Sequence, residues 1–361
     1  MKQTFVGLQI LRFFAAMLVA WMHITQAISI HITGRGEGVY WGTGAVGVDI
    51  FFIISGFVMM ISTANVPFHG PDRMANAWIF VKRRILRIVP LYWFYTLLKA
   101  ALLVAVPALA VKSVIEPSHL AASLFFVPTL APWGLVQPVL PVGWTLNFEM
   151  LFYMVFAVAI AIGAPRLRWC LLVFLCLFVA ARFAPGSVPL AFYAQTIIFE
   201  FIIGVAFAQV VMRWGHAPLG LGAGALLLAL GVVFTFGMGW DPASDRLWPW
   251  GVGSAAIVLG TIWLERVLEG RRWTRPLVHL GDASYSIYLS HTFVVPACVI
   301  LLKKLGVMDV ATVFILTSLA VMAAGSISYL WLEKPLIAVF KRLLFRPARA
   351  VPPHAANTAS N

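Results

Sequence analysis

Long apolar runs, each separated from the next by a short polar segment, dominate this 361-residue sequence. Hydrophobic residues make up 61% of the chain and charged residues 11%, whereas an average soluble domain has about 25% charged residues. So few charges cannot cover a water-exposed surface, and a run of about 20 apolar residues is long enough to cross a bilayer. The sequence therefore predicts an all-α, polytopic integral membrane protein and excludes a soluble domain.

Eleven apolar runs are candidates for membrane-spanning helices. They lie at residues 8–30, 46–64, 85–106, 119–131, 144–163, 167–183, 194–212, 218–238, 248–268, 281–302 and 310–340. The run at 119–131 has about 13 residues, fewer than the roughly 20 that a spanning helix needs. We therefore expect about ten transmembrane helices and a short re-entrant or interfacial segment at 119–131.

The distribution of lysine and arginine over the loops tests this count independently. If 119–131 does not cross, the loops on one side hold 17 basic residues and those on the other side hold 6; if it crosses, the split is 10 against 13. The six basic residues of the smaller group are Arg35, Lys112, Arg182, Arg246, Lys303 and Lys304. Cytoplasmic loops are enriched in basic residues, so the first arrangement is favoured, with both termini in the cytoplasm. The Pro- and Gly-rich segment 127–143 is then expected on the outer side. Membrane orientation thus explains the net charge of +13, and no nucleic-acid partner is expected. The sequence predicts one membrane domain over residues 1–345 and a disordered cytoplasmic tail over 346–361.

Arg12 and His23 are ionisable residues inside the first apolar run. Their spacing returns them to nearly the same face of a helix, about 16 Å apart along its axis. One interpretation is structural: an arginine that reaches for the cytoplasm and a hydrogen-bonded interior histidine. The functional interpretation is an inward-facing row with a cation near the cytoplasm and a titratable base near mid-membrane.

Arg84 and Arg87 belong to a basic cluster where the third run begins, and their i, i+3 spacing puts them on one helix face. Such a cluster can serve only to anchor the helix end at the membrane surface. Paired guanidinium groups also suit phosphate, because each can make forked hydrogen bonds.

Further polar residues lie at membrane depth, where each needs a partner, water or a function. Asp49 and Ser55 lie in the second run and Glu149 in the fifth; either carboxylate would pair with an arginine, cap a helix, or orient His23. Ser284, Tyr288 and His291 follow one another at i, i+4 and i+7 and so share a face, with His291 at a depth comparable to His23. Glu333 is expected to be a structural feature of a helix end. The histidines are scattered singly, so no metal site is predicted.

These residues resemble the acyltransferase-3 family of bacterial membrane O-acyltransferases, which includes exopolysaccharide and O-antigen acetyltransferases. The first-helix pattern Arg-x10-His is met by Arg12 and His23, and the Arg-x-x-Arg element by Arg84 and Arg87. Three further family blocks match GVDIFFIISGF at 47–57, WTLNFE at 144–149, which is similar to the exopolysaccharide branch, and SYSIYLSH at 284–291. One departure is Gln9, which stands where many members have aspartate.

The resemblance implies an O-acyltransferase, most simply an O-acetyltransferase, in the inner (cytoplasmic) membrane of a bacterium. It would move an acyl group from cytoplasmic acyl-CoA to a sugar hydroxyl of an exopolysaccharide, O-antigen or lipid-linked glycan. Acyl-CoA would be a donor substrate, with no permanently bound cofactor. The other expected partners are a carbohydrate acceptor and the lipid bilayer, with polysaccharide assembly proteins as candidates.

The resemblance also implies roles for the residues singled out above. Arg84 and Arg87 would bind the phosphates of acyl-CoA, and Arg12 would continue that positively charged path inward. His23, assisted by Asp49 or Glu149, would deprotonate the acceptor hydroxyl. The residues expected to position substrate are Ser55, Trp144, Ser284, Tyr288 and His291. Direct transfer and a covalent acyl-histidine intermediate both stay open.

Two other classes of function fit a bundle of apolar helices. A transporter or flippase of a lipid-linked sugar, without chemistry, would use interior charges equally well. A structural partner in a polysaccharide assembly complex would leave those charges unexplained. The row of Arg12 and His23, combined with the paired arginines, favours the enzyme.

Overall fold

The computed structural model describes residues 5–36, 38, 40–67, 70–106, 115–215, 220–239 and 246–345. The predicted cytoplasmic tail, 346–361, lies outside these residues. The described part of the chain is helical, and its one β-bridge joins Leu130 and Val136. Its α-helices are α1 (Val6–His31), α2 (Val46–Ser62), α3 (Arg73–Ala105), α4 (Pro117–Leu124), α5 (Trp144–Ile162), α6 (Arg166–Phe183), α7 (Val188–Tyr193), α8 (Phe199–Trp214), α9 (Gly220–Gly237), α10 (Val252–Trp263), α11 (Glu265–Leu268), α12 (Thr274–Asp282), α13 (Ser284–Lys304), α14 (Val310–Ser328) and α15 (Lys334–Leu344).

Eight helical segments within the described ranges are long and apolar enough to cross a membrane. They are Val6–His31, Gly42–Ser62, Arg73–Ala105, Pro141–Ile162, Thr196–Trp214, Gly220–Gly237, Ser284–Lys304 and Val310–Leu344. The other two predicted spans are also helical: α6 carries three arginines in 18 residues, and Leu247–Trp263 is a shorter apolar helix. The all-α polytopic class is therefore confirmed, while the count of ten stays a prediction.

The short run at 119–131 forms α4 and an irregular segment after it. At 1.5 Å per residue, the 8 residues of α4 span about 12 Å, well short of the roughly 30 Å of a bilayer core. The helix packs beside α3, where the Tyr92 hydroxyl donates to the Ser123 carbonyl at 3.0 Å and the Trp93 indole donates to the Leu124 carbonyl at 2.8 Å. The segment thus forms a short helix that packs against α3, and it is too short to cross the bilayer, as its length predicts.

α1 lies inside the bundle, against α2 and also against α12, α13 and α14. Glycines allow the close approaches: a Cβ atom on Gly47 would come 2.1 Å from the Ala15 carbonyl oxygen, and one on Gly281 would come 2.0 Å from that of Gln9. The N-terminus of α1 is capped from α11, because the Glu265 carboxylate accepts from the amides of Val6 (2.5 Å) and Gly7 (2.8 Å).

Two helical segments are longer than a bilayer requires. α3 has 33 residues and the continuous segment Val310–Leu344 has 35, so each is about 50 Å long. A π-helical turn, Tyr329–Glu333, joins α14 to α15. The expectation that Glu333 marks a helix end is therefore wrong, because the helix continues for 11 more residues as α15.

Two contacts that α3 makes with other helices agree with the predicted sidedness. The Arg73 guanidinium donates to the Ile162 carbonyl at 3.0 Å, and the Lys82 ammonium donates to the Leu344 carbonyl at 3.1 Å. Both contacts join segments that the loop charges assign to the cytoplasm. The orientation of the termini itself stays a prediction.

Candidate functional site

A cavity of about 120 Å³ lies between α1, α2, α3, α5 and α13. Six predicted site residues from five helices are brought together in its wall. They are Arg12, Ser55, Arg84, Arg87, Glu149 and Tyr288. The cavity, called the arginine cavity below, thus collects both predicted arginine groups around one carboxylate.

The three arginines of the cavity are not neutralised by direct ion pairs. Among the described residues, none of them comes within 4.0 Å of a carboxylate oxygen. Arg12 donates to the Gln9 side chain at 3.1 Å, which gives a role to the glutamine that departs from the family pattern. The Arg84 guanidinium lies over the rings of Phe80 and Tyr153, at 5.5 and 5.9 Å from their centroids, and its buried Nε has no partner in the described part.

Glu149 belongs to the arginine cavity. Its Oε1 atom accepts a hydrogen bond from the Ser55 hydroxyl at 3.2 Å and a short one from the Tyr153 hydroxyl. Tyr153 follows Glu149 at i+4, one turn along α5, so it lies on the same face. Glu149 therefore makes its hydrogen bonds inside the cavity, and none joins it to His23.

His23 and His291 contact each other across α1 and α13. Their ring centroids are 5.1 Å apart, with planes inclined by 31°, and His291 is fully buried. Neither histidine lines the arginine cavity. We call the two residues the histidine pair.

Tyr288 connects the histidine pair to the arginine cavity. It lines the cavity, and its ring centroid is 5.9 Å from that of His291. Its hydroxyl donates to the Val142 carbonyl at 3.0 Å and lies 3.0 Å from the Thr145 hydroxyl. The 3-10 turn Pro141–Gly143, just before α5, thus holds an aromatic ring that contacts both the cavity and His291.

Asp49 does not reach His23. Its carboxylate accepts from the Arg246 guanidinium, with Nη2 at 2.5 Å and Nε at 3.4 Å. Asp49 points away from the arginine cavity, whose α2 wall is formed by other residues, including Ser55. The pairing of a buried carboxylate with an arginine is one of the alternatives that the sequence left open.

The remaining two predicted residues stand apart from the cavity wall. Trp144 is half-buried and packs edge-on against Phe148, with centroids 6.0 Å apart. Ser284 is fully buried, and its hydroxyl has no partner among the described residues. Both flank the site without lining it.

Several polar residues near the cavity were missed by sequence reasoning. Tyr285 lines the cavity and donates to the Ile88 carbonyl at 2.8 Å. Glu333, from the π-helical turn, is buried and accepts from the Ser286 hydroxyl at 2.7 Å. The i+4 spacing from Glu149 would have indicated Tyr153; the positions of Arg246 and Glu333 depend on tertiary packing that no spacing indicates.

Known proteins resemble the chain over most of its length. The profile of the acyltransferase-3 family, described as an acyltransferase domain, matches residues 5–330. The exopolysaccharide production protein ExoZ of Rhizobium meliloti (strain 1021) is 35% identical over 309 residues, which cover 83% of this chain and 92% of ExoZ. The acyltransferase MdmB of Streptomyces mycarofaciens is 27% identical over 79% of this chain and 77% of its own.

A third relative is more distant. The putative peptidoglycan O-acetyltransferase YrhL of Bacillus subtilis (strain 168) is 26% identical over 79% of this chain but only 48% of its own length. No solved structure matches the chain. The matches favour an enzyme over a transporter without chemistry or a purely structural partner, and they confirm the predicted family. Because the family profile covers nearly the whole bundle, this protein is an acyltransferase that belongs to the acyltransferase-3 family.

Proposed function

We propose that this acyltransferase moves an acyl group, most simply acetyl, from cytoplasmic acyl-CoA to a sugar hydroxyl of an exopolysaccharide or a related glycan. The observation that carries the proposal is the arginine cavity, whose three guanidinium groups form no direct ion pair with any residue that the structure describes, next to a contacting pair of histidines. The relatives support the same chemistry: one is named for exopolysaccharide production and another for O-acetyl transfer.

The donor end of the site is formed by Arg12, Arg84 and Arg87. A CoA molecule carries several phosphate groups, and guanidinium groups bind phosphate through forked, charge-assisted hydrogen bonds. Arg84 is half-buried between Phe80 and Tyr153, so its orientation is fixed before the donor arrives. These arginines line the half of the bundle that the loop charges assign to the cytoplasm, which is where acyl-CoA is available.

The chemical step is placed at the histidine pair. As general base, His23 accepts the proton of the sugar hydroxyl while the hydroxyl oxygen attacks the thioester carbonyl. The carbon–sulfur bond then breaks, and the proton passes to the leaving thiolate of CoA. Arg12 and His23 are about 16 Å apart along α1, so an extended pantetheine arm would run from the arginines past Tyr288 to the histidines.

The acceptor would approach from the opposite side of the membrane. In the predicted topology, both termini are cytoplasmic in a bacterial inner membrane, and the segment 127–143 faces outward. The Val142 carbonyl of that segment accepts a hydrogen bond from Tyr288, so an acceptor that contacts the segment would also lie close to Tyr288. Polysaccharide assembly proteins are the partners that would deliver such an acceptor.

Mass spectrometry of the cell's polysaccharide, with and without the protein, tests the proposal. We expect an acyl-sized mass on the sugar residues that disappears when the gene is deleted and returns on complementation. The purified protein in nanodiscs should bind acetyl-CoA. An unchanged polysaccharide together with no detectable acetyl-CoA binding would contradict the proposal.

A further inference from the structure

Arg246 is a fourth arginine whose side chain enters the bundle. It immediately precedes the π-helical turn Leu247–Gly251, which leads into α10, and the charge count had assigned it to an outer loop. Besides its contacts to Asp49, its Nη2 donates to the Ala45 carbonyl at 3.1 Å. Its guanidinium carbon lies 4.6 Å from the ring centroid of Trp250. The residue therefore contacts α2 and stacks on its own helical turn.

These contacts fix the orientation of the guanidinium and leave one edge free. Asp49 is 0% exposed, whereas the Arg246 side chain is 22% exposed. Nε and Nη2 make all the hydrogen bonds to Asp49 and Ala45, and Nη1 donates to no residue in the described ranges. A guanidinium that bonds a carboxylate along one edge and stacks on an aromatic ring with its face presents its remaining N–H donors in a fixed direction.

Arg246 lies at the N-terminal end of α2, because its guanidinium bonds to Ala45 and Asp49. Two residues further along α2, Phe51 packs against Tyr288 with centroids 6.1 Å apart, and the Tyr288 ring contacts His291. The other three arginines approach Tyr288 from the arginine cavity, which does not include Arg246. Because Asp49 lies in the first turn of α2, which starts on the predicted outer side, Arg246 and the cavity arginines flank Tyr288 from opposite sides.

The charges around Arg246 decide what kind of ligand it suits. The fully buried Glu200 lies against the same π-helical turn, where a Cβ atom on Gly251 would come 3.0 Å from its Oε1. One guanidinium facing two carboxyl groups provides no excess positive charge, so the cluster does not attract a phosphate or another free anion. It offers instead directed N–H donors, which suit the hydroxyl oxygens of a neutral sugar.

We propose that Arg246 is an acceptor-binding residue: Asp49 and Trp250 hold its guanidinium so that Nη1 donates to a hydroxyl oxygen of the acceptor sugar. This inference rests on the proposed function and extends it by assigning a residue to the acceptor. The geometry gives Asp49 a positioning role through Arg246, in place of the expected contact with His23.

Two variants separate sugar binding from a purely structural pair. Arg246→Lys keeps a charge near Asp49 but removes the fork. The double variant Asp49→Asn with Arg246→Gln removes the guanidinium without leaving a buried unpaired charge. Arg182→Gln, at an exposed arginine in the last turn of α6, is the matched control.

The assay follows acetyl transfer from acetyl-CoA to the organism's own polysaccharide after its acyl groups have been removed with mild alkali. Both variants should bind acetyl-CoA and melt as the wild type does. Their transfer at low polysaccharide concentration should fall about 10- to 100-fold, as for the loss of a hydrogen bond to a charged donor, and should recover in part at high concentration. Arg182→Gln should behave as wild type.

Other outcomes overturn the inference in distinguishable ways. Wild-type transfer by the double variant would mean that Arg246 serves only as the partner of Asp49. A loss of acetyl-CoA affinity in Arg246→Lys would place the residue on the donor side. If the wild type itself neither binds acetyl-CoA nor acylates the polysaccharide, the proposed function fails, and not only the role of Arg246.

Discussion

The imidazole rings of His23 and His291 contact each other, with centroids 5.1 Å apart. The sequence placed them at comparable depth, and the structure makes them neighbours on α1 and α13. Two adjacent imidazoles can share the work of accepting a proton and orienting a hydroxyl. The proposed base is therefore one of two side chains in contact, so we expect its single and double variants to differ from those of an isolated residue.

His23→Ala should reduce turnover by about 10²–10⁴-fold, the usual effect of losing a general base, while acetyl-CoA affinity stays close to wild type. His291→Ala should cost less if that ring only orients its neighbour. The double variant should lose less than the product of the two single losses, because residues that act as a unit are not additive. Turnover and donor affinity, measured in nanodiscs, check this; full activity in His23→Ala with an inactive His291→Ala would move the base to α13.

The pH dependence of transfer gives a second test of the histidine pair. A protonated imidazole cannot accept the hydroxyl proton, so turnover should fall as the pH is lowered through the titration of the pair. Rates measured from about pH 8 down to the pH at which the protein unfolds should show one acidic limb in the wild type, because the imidazole that accepts the proton must be neutral. A profile that is flat in the wild type would argue against a histidine base.

Arg87→Ala should weaken acetyl-CoA binding by about 10- to 100-fold, since it removes charge-assisted hydrogen bonds to phosphate. Arg87→Lys should restore only part of the affinity, because an ammonium group cannot make the forked contact. Arg83→Ala is the matched control, since Arg83 is an exposed residue of the same basic cluster outside the arginine cavity. If the Arg87→Ala and Arg83→Ala proteins bind acetyl-CoA with equal affinity, the basic cluster serves only to anchor the helix at the membrane surface.

The topology is testable with single cysteines in a background without Cys170, Cys176 and Cys298. Ala164→Cys should react with a membrane-impermeant reagent only after permeabilisation, whereas Met238→Cys, at a residue 58% exposed, should react in intact cells. Ala164 is preferable to Gly163, whose φ of 72° disfavours a side chain. Labelling of Ala164→Cys from outside would mean that 119–131 crosses the membrane.

Glu265→Ala should destabilise the protein by about 1–3 kcal/mol, because two amides at the N-terminus of α1 lose their acceptor. The exposed Glu269 provides the control, and Glu269→Ala should leave the melting temperature unchanged. Thermal unfolding in detergent, measured as the loss of the monodisperse peak with temperature, compares the two variants. Identical melting of both variants would show that water replaces the carboxylate at no cost.

Sequence reasoning located the helices and most of the cavity. Hydrophobic length predicted every long helix, and helical spacing put Arg84 and Arg87 on one face, where the structure has both in the cavity wall. Family motifs added Ser55, Glu149 and Tyr288 to the same small space. The helix predictions succeeded because hydrophobic length and residue spacing depend only on local geometry along one helix, whereas the roles of the cavity residues stay predictions.

Pairings between helices could not be predicted in the same way. Asp49 was assigned to His23 or to an unnamed arginine, and only packing brings Arg246 to it. The loop charge count put Arg246 in water, since such a count cannot show that a side chain turns inward. Glu333 was placed at a helix end because the sequence gives no sign of a π-helical turn that carries the helix onward.

The capping of α1 by Glu265 has a consequence for biogenesis. A ribosome that adds 5–20 residues per second needs roughly 10–50 s between making the first helix and making Glu265. During that interval the first helix waits in the bilayer with Arg12 inside it and without α12, α13 and α14, which later surround it. The first helix therefore gains most of its packing partners only when the last third of the chain is made. A translation product that stops early would present the quality-control proteases of the membrane with a charged helix that packs against α2 but lacks α12, α13 and α14.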